Sequence, residues 1–524
     1  MNFVLRQMFL LVLVPFGSIF KSNCQSEIQV KKPNIIFILA DDMSYDSMGF
    51  MDRYNLETPN LDKLAEQGVR FTKNYNTTAI CMASRAQIMT GLYEFSTGTN
   101  FLHGDLSYNT WKESYSQVLR NEGYYVGFGG KFGFNVKNKN GRKGSLETVS
   151  SSFDWWCGWM GQGSYSMEKN KDAFAYIEKY GSKKEHTTYA LGLMGQDFIQ
   201  EANATGKPFC LSISYKAPHT PYFLDSRYDK IYRDQKFPKP ETFGKGHLLP
   251  KQAKSGRPYS KGKSWVKDYD NSMYKYHTMI YAMDTSIGLI LGELEKLDLD
   301  KNTIIIFTSD NGHFNGSKSM GGKLYAYEEG SLAPTIIVDP RRTSNYKFET
   351  CTALSGNIDL APTIIDYAGV IDSAKRHGNS LKSILDGDIH EIHESIMLIN
   401  VWGIASAQSL AVVTLDFKYI NWFYGIDPFE KTEELFDLKN DAFEQNEISK
   451  KDAYHTKLTE MRSLYDRWLR TWESETVSGA GYEKYARLGN RAIPFNLNSQ
   501  EEIRDMYFNK KDFGKRNSTK KNKK

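Results

Sequence analysis

Acidic residues follow two apolar segments of this chain, at the point where each segment ends. Asp41-Asp42 comes directly after the run 33–40, and Asp310-Asn311 follows the run 303–308. Both runs are continuous rather than alternating, which is typical of parallel strands buried on both faces. Because ligands of open α/β sheets collect beyond the carboxyl ends of the strands, we expect these side chains at one edge of a sheet.

The donor atoms of this cluster indicate a hard metal ion. Three carboxylates brought together repel one another unless a cation neutralises them. Oxygen donors select Ca²⁺ or Mg²⁺ rather than zinc, and a full set of protein ligands favours Ca²⁺ because Mg²⁺ usually keeps more water. The expected ligands are Asp41, Asp42, Asp310 and Asn311. The alternative is a helix cap at Asp41-Asp42 and a plain turn at 310–312.

A second feature is the segment Cys81-Met82-Ala83-Ser84-Arg85. Taken alone, a cysteine near an arginine is usually a buried core residue. The remaining cysteines form no CxxC pair and no zinc spacing. We expect residue 81 to begin a helix that runs to Gly91, with its positive end favouring an anion.

The elements that must position these residues alternate between buried strands and helices. The expected strands are 33–40, 123–128, 208–215, 303–308 and 334–338, and the expected helices are 58–68, 85–90, 108–121, 191–202 and 272–297. This alternation predicts an α/β fold with a large, mostly parallel sheet sandwiched by helices.

Beyond residue 391 the pattern changes. Short β-like segments lie close together and are followed by a helical segment; they are 395–400, 410–414, 417–422 and 434–438, then 452–472. This order predicts a smaller C-terminal antiparallel sheet subdomain packed by a helix.

The N-terminus indicates export. Arg6 precedes the apolar run 8–20, which is shorter than the ~20 residues of a membrane span and is typical of a signal peptide. We therefore predict a signal peptide (1–24), a catalytic α/β domain (25–390), a smaller α+β subdomain (391–490) and a basic tail (491–524). The mature protein is expected in the periplasm, secreted, or tethered by a lipid on Cys24, without a transmembrane segment.

The motifs together resemble the type I sulfatases of the alkaline phosphatase superfamily. Segment 81–85, followed by Met89-Thr90-Gly91-Leu92-Tyr93, is similar to the family signature whose cysteine is oxidised to formylglycine. The similarity continues through much of the chain, at 34–42, 58–65, 130–131, 304–312, 322–323, 327–330 and 434–441.

The resemblance implies a role for each residue. Asp41, Asp42, Asp310 and Asn311 would bind calcium, and the hydrated aldehyde made from Cys81 would attack sulfur, then expel sulfate as its second hydroxyl loses a proton. Arg85 would hold the formylglycine and offset negative charge. Lys131 and Lys323 would hold the diol and the sulfate, and His219 would contact sulfate and protonate the leaving oxygen.

Two positions depart from the family pattern. Gly133 stands where most members carry the histidine that takes the diol proton, so His313 and His103 are candidate substitutes, and His313 is also a candidate substrate contact. Ala83 replaces a proline that many members carry, a variant associated with an anaerobic, radical-type maturase.

The expected function is removal of sulfate from a sulfated poly- or oligosaccharide. Trp155, Trp156 and Trp159 could stack on sugar rings, or could instead lie in the core. The alternatives are a phosphonate or phosphodiester hydrolase of the same superfamily and a non-catalytic binder of sulfated glycans. The expected partners are the saccharide and the formylglycine-generating maturase. The net charge of +5 is small for 524 residues and gives no indication of a nucleic-acid partner.

Overall fold

The computed structural model describes residues 31–173, 176–181, 185–342, 349–425 and 429–493. From Pro33 onward the described residues belong to one compact unit. The predicted signal peptide, Cys24 and all but the first residues of the basic tail lie outside the described residues. Within the described residues, no helix is both long and apolar enough to cross a membrane.

Fourteen strands form the sheets of the described residues. They are β1 (Asn34–Asp41), β2 (Val69–Phe71), β3 (Asn74–Tyr75), β4 (Tyr125–Lys131), β5 (Trp155–Trp159), β6 (Phe209–Pro218), β7 (Thr303–Ser309), β8 (Thr335–Val338), β9 (Glu349–Cys351), β10 (Ser355–Gly356), β11 (Ile396–Asn400), β12 (Ser409–Val413), β13 (Phe417–Trp422) and β14 (Thr432–Asp437).

The α-helices of the described residues alternate with these strands. They are α1 (Pro59–Gln67), α2 (Cys81–Thr90), α3 (Glu94–Thr97), α4 (Tyr108–Lys112), α5 (Tyr115–Asn121), α6 (Leu146–Ser150), α7 (Thr187–Ala204), α8 (Lys251–Ser255), α9 (Arg257–Lys267), α10 (Tyr269–Lys296), α11 (Glu328–Ser331), α12 (Leu360–Tyr367), α13 (Lys382–Leu385), α14 (His455–Glu475) and α15 (Glu483–Gly489).

The main sheet has eight strands in the order β5-β4-β6-β1-β7-β8-β2-β9. The first five are mutually parallel, and Phe37 at the centre of β1 lies between Ser212 of β6 and Ile306 of β7. The predicted mostly parallel sheet is therefore confirmed.

One strand direction was predicted wrongly. Strand β8, expected to be parallel, pairs antiparallel with β7, with Thr335 opposite Thr308. A parallel partner needs a crossover that returns the chain to the far edge of the sheet. Here residues 310–334 remain at the edge where β7 ends, so β8 enters the sheet from that same edge.

Helices cover both faces of this sheet, as its alternating side chains require. On one face Ile36 and Ile38 pack in the same core as Phe198 of α7 and Ile287 of α10. On the other face Ile35, Phe37 and Leu39 pack with helices α2, α5 and α12. This arrangement confirms the predicted sandwich.

The C-terminal region forms a separate four-stranded antiparallel sheet in the order β11-β12-β13-β14. Helix α14 packs on it, with Met461 and Leu469 in the same core as Val412 and Tyr419. Both the antiparallel sheet and its helix were predicted. The two-stranded sheet of β3 and β10 was not.

The tryptophans at 155–159 belong to the core rather than to a sugar platform. Trp155 and Trp159 of strand β5 are 4% and 2% exposed, and Trp156 is half-buried. The Trp155 ring packs edge-on against Phe198, and Trp156 stacks on Phe128. Of the two alternatives for these rings, the core is therefore the correct one, because β5 is a strand of the main sheet and other aromatic side chains pack on it.

Candidate active site

Four neighbouring parallel strands, β4, β6, β1 and β7, carry the candidate residues to one edge of the main sheet. Lys131 is the last residue of β4, and His219 follows β6. Asp41 ends β1 and Asp42 follows it, and Asp310-Asn311 follows β7. Parallel strands present their carboxyl ends together, so Asp42 and Asn311, 269 positions apart in sequence, become neighbours.

Helix α2 places Cys81 at this edge. Cys81 is the first residue of the helix, as predicted, and all ten residues of the helix are buried. Its polar side chains have internal partners, because the Asn357 amide donates to Ser84 Oγ at 3.0 Å and to Gln87 Oε1 at 3.1 Å. Cys81 Sγ lies 3.5 Å from Asp41 Oδ1 and 2.7 Å from Lys323 Nζ.

The acidic residues and the amide meet as expected. The Asp42 N–H donates to Asp310 Oδ1 at 3.2 Å, and Asn311 Nδ2 donates to Asp42 Oδ1 at 2.7 Å. One ligand atom each from Asp41, Asp42, Cys81 and His219 lies within 4.8 Å of the others.

One atom of the cluster lacks a partner. Asn311 Oδ1 is buried and accepts no hydrogen bond from any described residue. Buried acceptors are almost always satisfied, so this oxygen, beside three carboxylates, is suited to bind a cation. The residues present therefore fit an oxygen-ligated metal ion.

Three cationic side chains already offset the three carboxylates. Lys131 Nζ lies 2.5 Å from Asp41 Oδ2, and Lys323 Nζ is bonded to Asp42 Oδ1. Arg85 donates through Nε to Asp310 Oδ2 at 2.8 Å. A divalent cation added to this balanced set would leave net positive charge for an anionic substrate.

Arg85 also connects the neighbouring strands β4 and β6. Its Nη1 donates to the Lys131 carbonyl at 2.7 Å and to Ser214 Oγ. Its buried Nη2 makes no hydrogen bond to a described residue, but it lies 3.9 Å from Asp41 Oδ2.

Burial and charge shift the ionisation of these groups. Burial alone would raise the pKa of Asp41, but Lys131 and its other cationic neighbours hold that pKa well below its usual range. Burial, together with the Asp41 carboxylate, raises the pKa of Asp310 to about 6 despite the Arg85 contact. Burial and Asp41 also raise the pKa of the Cys81 thiol to about 11.

His219 faces the cluster through one ring nitrogen. Its Nε2 lies 3.7 Å from Asp42 Oδ2, while Nδ1 contacts the Thr220 carbonyl oxygen. A carbonyl oxygen can only accept, so Nδ1 carries the proton of the neutral ring and Nε2 is left to face the site. Burial lowers the pKa of His219 to about 4.

The two histidines considered as substitutes at Gly133 have both ring nitrogens engaged. His313 bonds to Asn315 Oδ1 at 2.6 Å through Nδ1 and accepts the Gly322 N–H at 3.1 Å through Nε2. His103 bonds to the Ala480 carbonyl at 2.7 Å and to the Tyr485 hydroxyl at 3.0 Å. His313 therefore lies inside the site. His103 instead bonds to residues of the C-terminal segment.

Two residues near the site were not predicted from the sequence. The buried Lys216 of β6 lies with its ammonium 5.1 Å from the centre of the Tyr165 ring, and burial lowers its pKa to about 8. No hydrogen bond or ion pair ties this ammonium to a described residue. Gln162 donates to Asp41 Oδ2 at 3.1 Å from a loop without a readable motif. The signal for Lys216 was a single charge inside an otherwise uncharged strand.

An open cavity of about 450 Å³ lies beside Met82, the residue that follows Cys81. It includes Met82, Gly133, Phe101 and His103 in its lining. Phe101 is 41% exposed, so the cavity opens past an aromatic ring.

Comparison with known proteins agrees with this geometry. The Sulfatase family model matches residues 33–370, and a model described as N-sulphoglucosamine sulphohydrolase, C-terminal, matches residues 316–468. The chain is 27% identical over 540 residues to the N-acetylglucosamine-6-O-sulfatase of Bacteroides thetaiotaomicron, covering 89% of this chain and 93% of that protein. It is 28% identical over 398 residues to human N-acetylglucosamine-6-sulfatase, covering 71% and 68%.

Solved structures show the same fold. A protein crystallised in complex with its substrate D-glucosamine-2-N,6-O-disulfate is 25% identical, with a TM-score of 0.69, covering 85% of this chain and 99% of that one. The phosphonate monoester hydrolase of Agrobacterium radiobacter, 18% identical with a TM-score of 0.68, shares the fold over 85% and 96%. With a family model spanning well over half of its length, the chain belongs to the sulfatase family of the alkaline phosphatase superfamily and is a sulfuric ester hydrolase.

Proposed function

We propose that this sulfatase removes sulfate from a sulfated poly- or oligosaccharide, with a formylglycine made from Cys81 as the reacting residue. The observation that carries the proposal is the position of the Cys81 side chain, between Asp41 and Lys323 at the start of α2. The names of relatives, N-acetylglucosamine-6-sulfatases and an ulvan-active sulfatase of Formosa agariphila, support a saccharide. A 6-O-sulfated glucosamine is therefore the first substrate to test.

The ionisation of Cys81 supports conversion rather than thiol chemistry. With a pKa of about 11, the thiol remains protonated at neutral pH and is a poor nucleophile. A hydrated formylglycine would supply one hydroxyl to attack sulfur and a second to drive sulfate release by C–O cleavage. Its formation requires a maturase, and Ala83 in place of proline favours the anaerobic type.

Asp41, Asp42, Asp310 and Asn311 would hold the metal, and their oxygen donors favour Ca²⁺. A bound calcium ion would supply positive charge opposite the sulfate group. The unpartnered Asn311 Oδ1 supports its participation as a ligand.

The basic residues would position the substrate and offset its charge. Lys323, already 2.7 Å from Cys81 Sγ, would contact both residue 81 and the sulfate. Lys131 would hold residue 81 from the side of Asp41, and Arg85 would fix Asp310. The negative charge of the bound sulfate would raise the pKa of His219, so that Nε2 gains the proton that it then gives to the leaving oxygen.

The missing histidine at Gly133 leaves a non-catalytic glycan binder as the second candidate. His313 and His103 have no free ring nitrogen in the described structure, so neither is placed to take the diol proton without rearrangement. A direct measurement of turnover separates the two candidates.

The test uses protein co-produced with an anaerobic maturase. Intact mass should fall by about 18 Da at residue 81, the difference between a thiol side chain and an aldehyde. Released sulfate is then measured from N-acetylglucosamine 6-sulfate, with the 6-phosphate as the matched ester and Cys81→Ala as the control. Conversion without sulfate release from any sulfated saccharide would reject the proposal, and faster phosphate release would favour the phosphonate or phosphodiester hydrolase.

We also propose that the protein is exported, because a sulfatase that acts on polysaccharide meets its substrate outside the cytoplasm. The apolar run 8–20 supports this location. Fractionation of the native cells should place the protein in the periplasm, at the cell surface or in the medium, and a cytoplasmic pool would contradict it.

A further inference from the structure

Helix α9 directs two basic residues toward the rim of the site. Arg257 and Lys261 are four positions apart, so they share one face of the helix. The Lys261 side chain passes Gly322, where a Cβ would lie 3.6 Å from Lys261 Cδ, and Gly322 directly precedes Lys323. Lys261 therefore lies beside the lysine that contacts residue 81.

Among the described residues, neither Arg257 nor Lys261 has a carboxylate within ion-pair distance. Burial and then the nearby Arg257 lower the pKa of Lys261, although the more distant Asp42 carboxylate acts in the opposite direction. Like charges at this helical spacing are unfavourable, so an uncompensated pair beside a binding site indicates an anionic ligand.

Two successive aromatic contacts lead from this pair of cations to the cavity beside Met82. The Arg257 guanidinium lies 5.8 Å from the centre of the Trp402 ring, and Trp402 lies 6.0 Å from Phe101. Phe101 in turn lines this cavity, together with Met82 and Gly133. Half-exposed rings of this kind suit the apolar face of a sugar.

We infer that Arg257 and Lys261, with Phe101 and Trp402, form a subsite for a second acidic group, a sulfate or a carboxylate, on the saccharide whose sulfate ester is cleaved at residue 81. The inference rests on the proposed function, because it assumes that the scissile sulfate binds at residue 81. It narrows the substrate to saccharides with at least two acidic groups.

The experiment compares a sugar with one acidic group and a sugar with two. N-acetylglucosamine 6-sulfate and glucosamine 2-N,6-O-disulfate are assayed for release of the 6-sulfate, with the wild type, Arg257→Ala, Lys261→Ala and the double variant. Lys263→Ala is the control, because Lys263 lies on the exposed side of the same helix. Thermal melting checks that each variant is folded.

The wild type should have a lower KM for the disulfate. The double variant should raise that KM about tenfold, with kcat little changed and little effect on the monosulfate. Added salt should weaken binding of the disulfate more than that of the monosulfate. Equal KM values in the wild type, or equal losses on both sugars in the double variant, would overturn the inference.

Failure of this inference is separable from failure of the proposed function. Hydrolysis of both sugars without discrimination rejects only the second-anion subsite, whereas release of sulfate from neither rejects the function. For protein with unconverted Cys81, calorimetric binding of the same two sugars replaces KM, with the same contrast expected between the wild type and the double variant.

Discussion

Gly133 and Arg85 approach each other so closely that only glycine is accommodated at residue 133. Gly133 has a φ of +86°, and a Cβ there would lie 2.6 Å from Arg85 Cδ. Arg85 cannot easily move, because it is buried and bonded to Asp310, Ser214 and the Lys131 carbonyl. The residue that replaces the family's histidine is therefore also a steric requirement of the arginine beside residue 81.

Substitution of Gly133 should destabilise the protein. Gly133→Ala places a side chain at positive φ against a fixed guanidinium, so we expect a loss of ~1–3 kcal/mol in the free energy of unfolding and reduced turnover. Chemical denaturation measures the first and sulfate release the second. Gly161→Ala is the control, since nothing lies within 4 Å of its added Cβ. Equal stability of the two variants would contradict the steric argument, and Gly133→His should not increase the rate.

Removal of the Arg85 charge should increase the dependence of stability on calcium. Arg85→Met leaves the buried Asp310 carboxylate without its cation, so the metal-free protein should lose ~3–5 kcal/mol of stability. Added calcium should recover part of this loss, and the melting temperature should therefore rise more in the variant than in the wild type. A smaller rise in the variant would show that Arg85 does not offset the charge of the metal ligands.

Calcium affinity should fall as the pH drops below about 6. The pKa of Asp310 is raised to about 6 by burial and by Asp41, so a cation must displace a proton from the site at lower pH. Calorimetry in two buffers of different ionisation enthalpy should detect proton release at pH 5.5 and little at pH 8. Asp310→Asn should bind calcium weakly and show no proton release, and unchanged affinity in that variant would remove Asp310 from the ligand set.

His219→Ala should affect poor leaving groups most. An alkyl sulfate needs a proton on the departing oxygen, whereas a nitrophenolate leaves without one, so the loss in kcat should be ~10²–10⁴-fold for a sugar sulfate and much smaller for nitrophenyl sulfate. The exposed His247 supplies the control variant His247→Ala. Equal losses on both esters would indicate that His219 only binds the sulfate.

Lys216→Met should stabilise the protein. The wild-type lysine has a pKa of about 8 when folded and 10.5 when unfolded, so the unfolded chain binds more protons between these values. Wild-type stability should therefore rise from pH 8 to pH 10.5, and the Lys216→Met substitution should remove this slope.

At neutral pH the Lys216→Met substitution should raise the free energy of unfolding by about 3 kcal/mol, because one unit of pKa shift corresponds to about 1.4 kcal/mol. Unfolding in the presence of a chelator, from pH 7 to pH 10, measures both the gain and the slope. Lys207→Met, at an exposed residue just before β6, is the matched control. A less stable variant would mean that the Lys216 ammonium has a stabilising partner.

The position of the metal ligands could be predicted from the sequence because they lie at the ends of continuous buried strands. The segments 35–40 and 304–307 are apolar throughout, and adjacent β1 and β7 bring Asp41 and Asp310 to one edge. Cys81 was identified by family resemblance alone. Its helix is buried on every side, so it carries no amphipathic pattern that periodicity could detect.

Features that depend on distant segments could not be predicted. The direction of β8 is set by the path of residues 310–334, and the helix expected over 108–121 is divided because Ser114 adopts an extended conformation before α5. His103 looked like a possible base, but its partners, the Ala480 carbonyl and the Tyr485 hydroxyl, come from a segment with no recognisable signal in the sequence. The domain boundary at residue 391 stays a prediction.

The hydrogen bond between His103 and the Ala480 carbonyl also limits when, during its synthesis, the enzyme can become active. The loop of Phe101 and His103 is one wall of the cavity, yet the residue that accepts the His103 hydrogen bond lies 377 positions further along the chain. A ribosome must therefore make nearly the whole polypeptide before this wall has its support. Proteolytic loss of the segment that contains α15 would likewise impair substrate capture first, while the strands that carry the metal ligands kept their own packing.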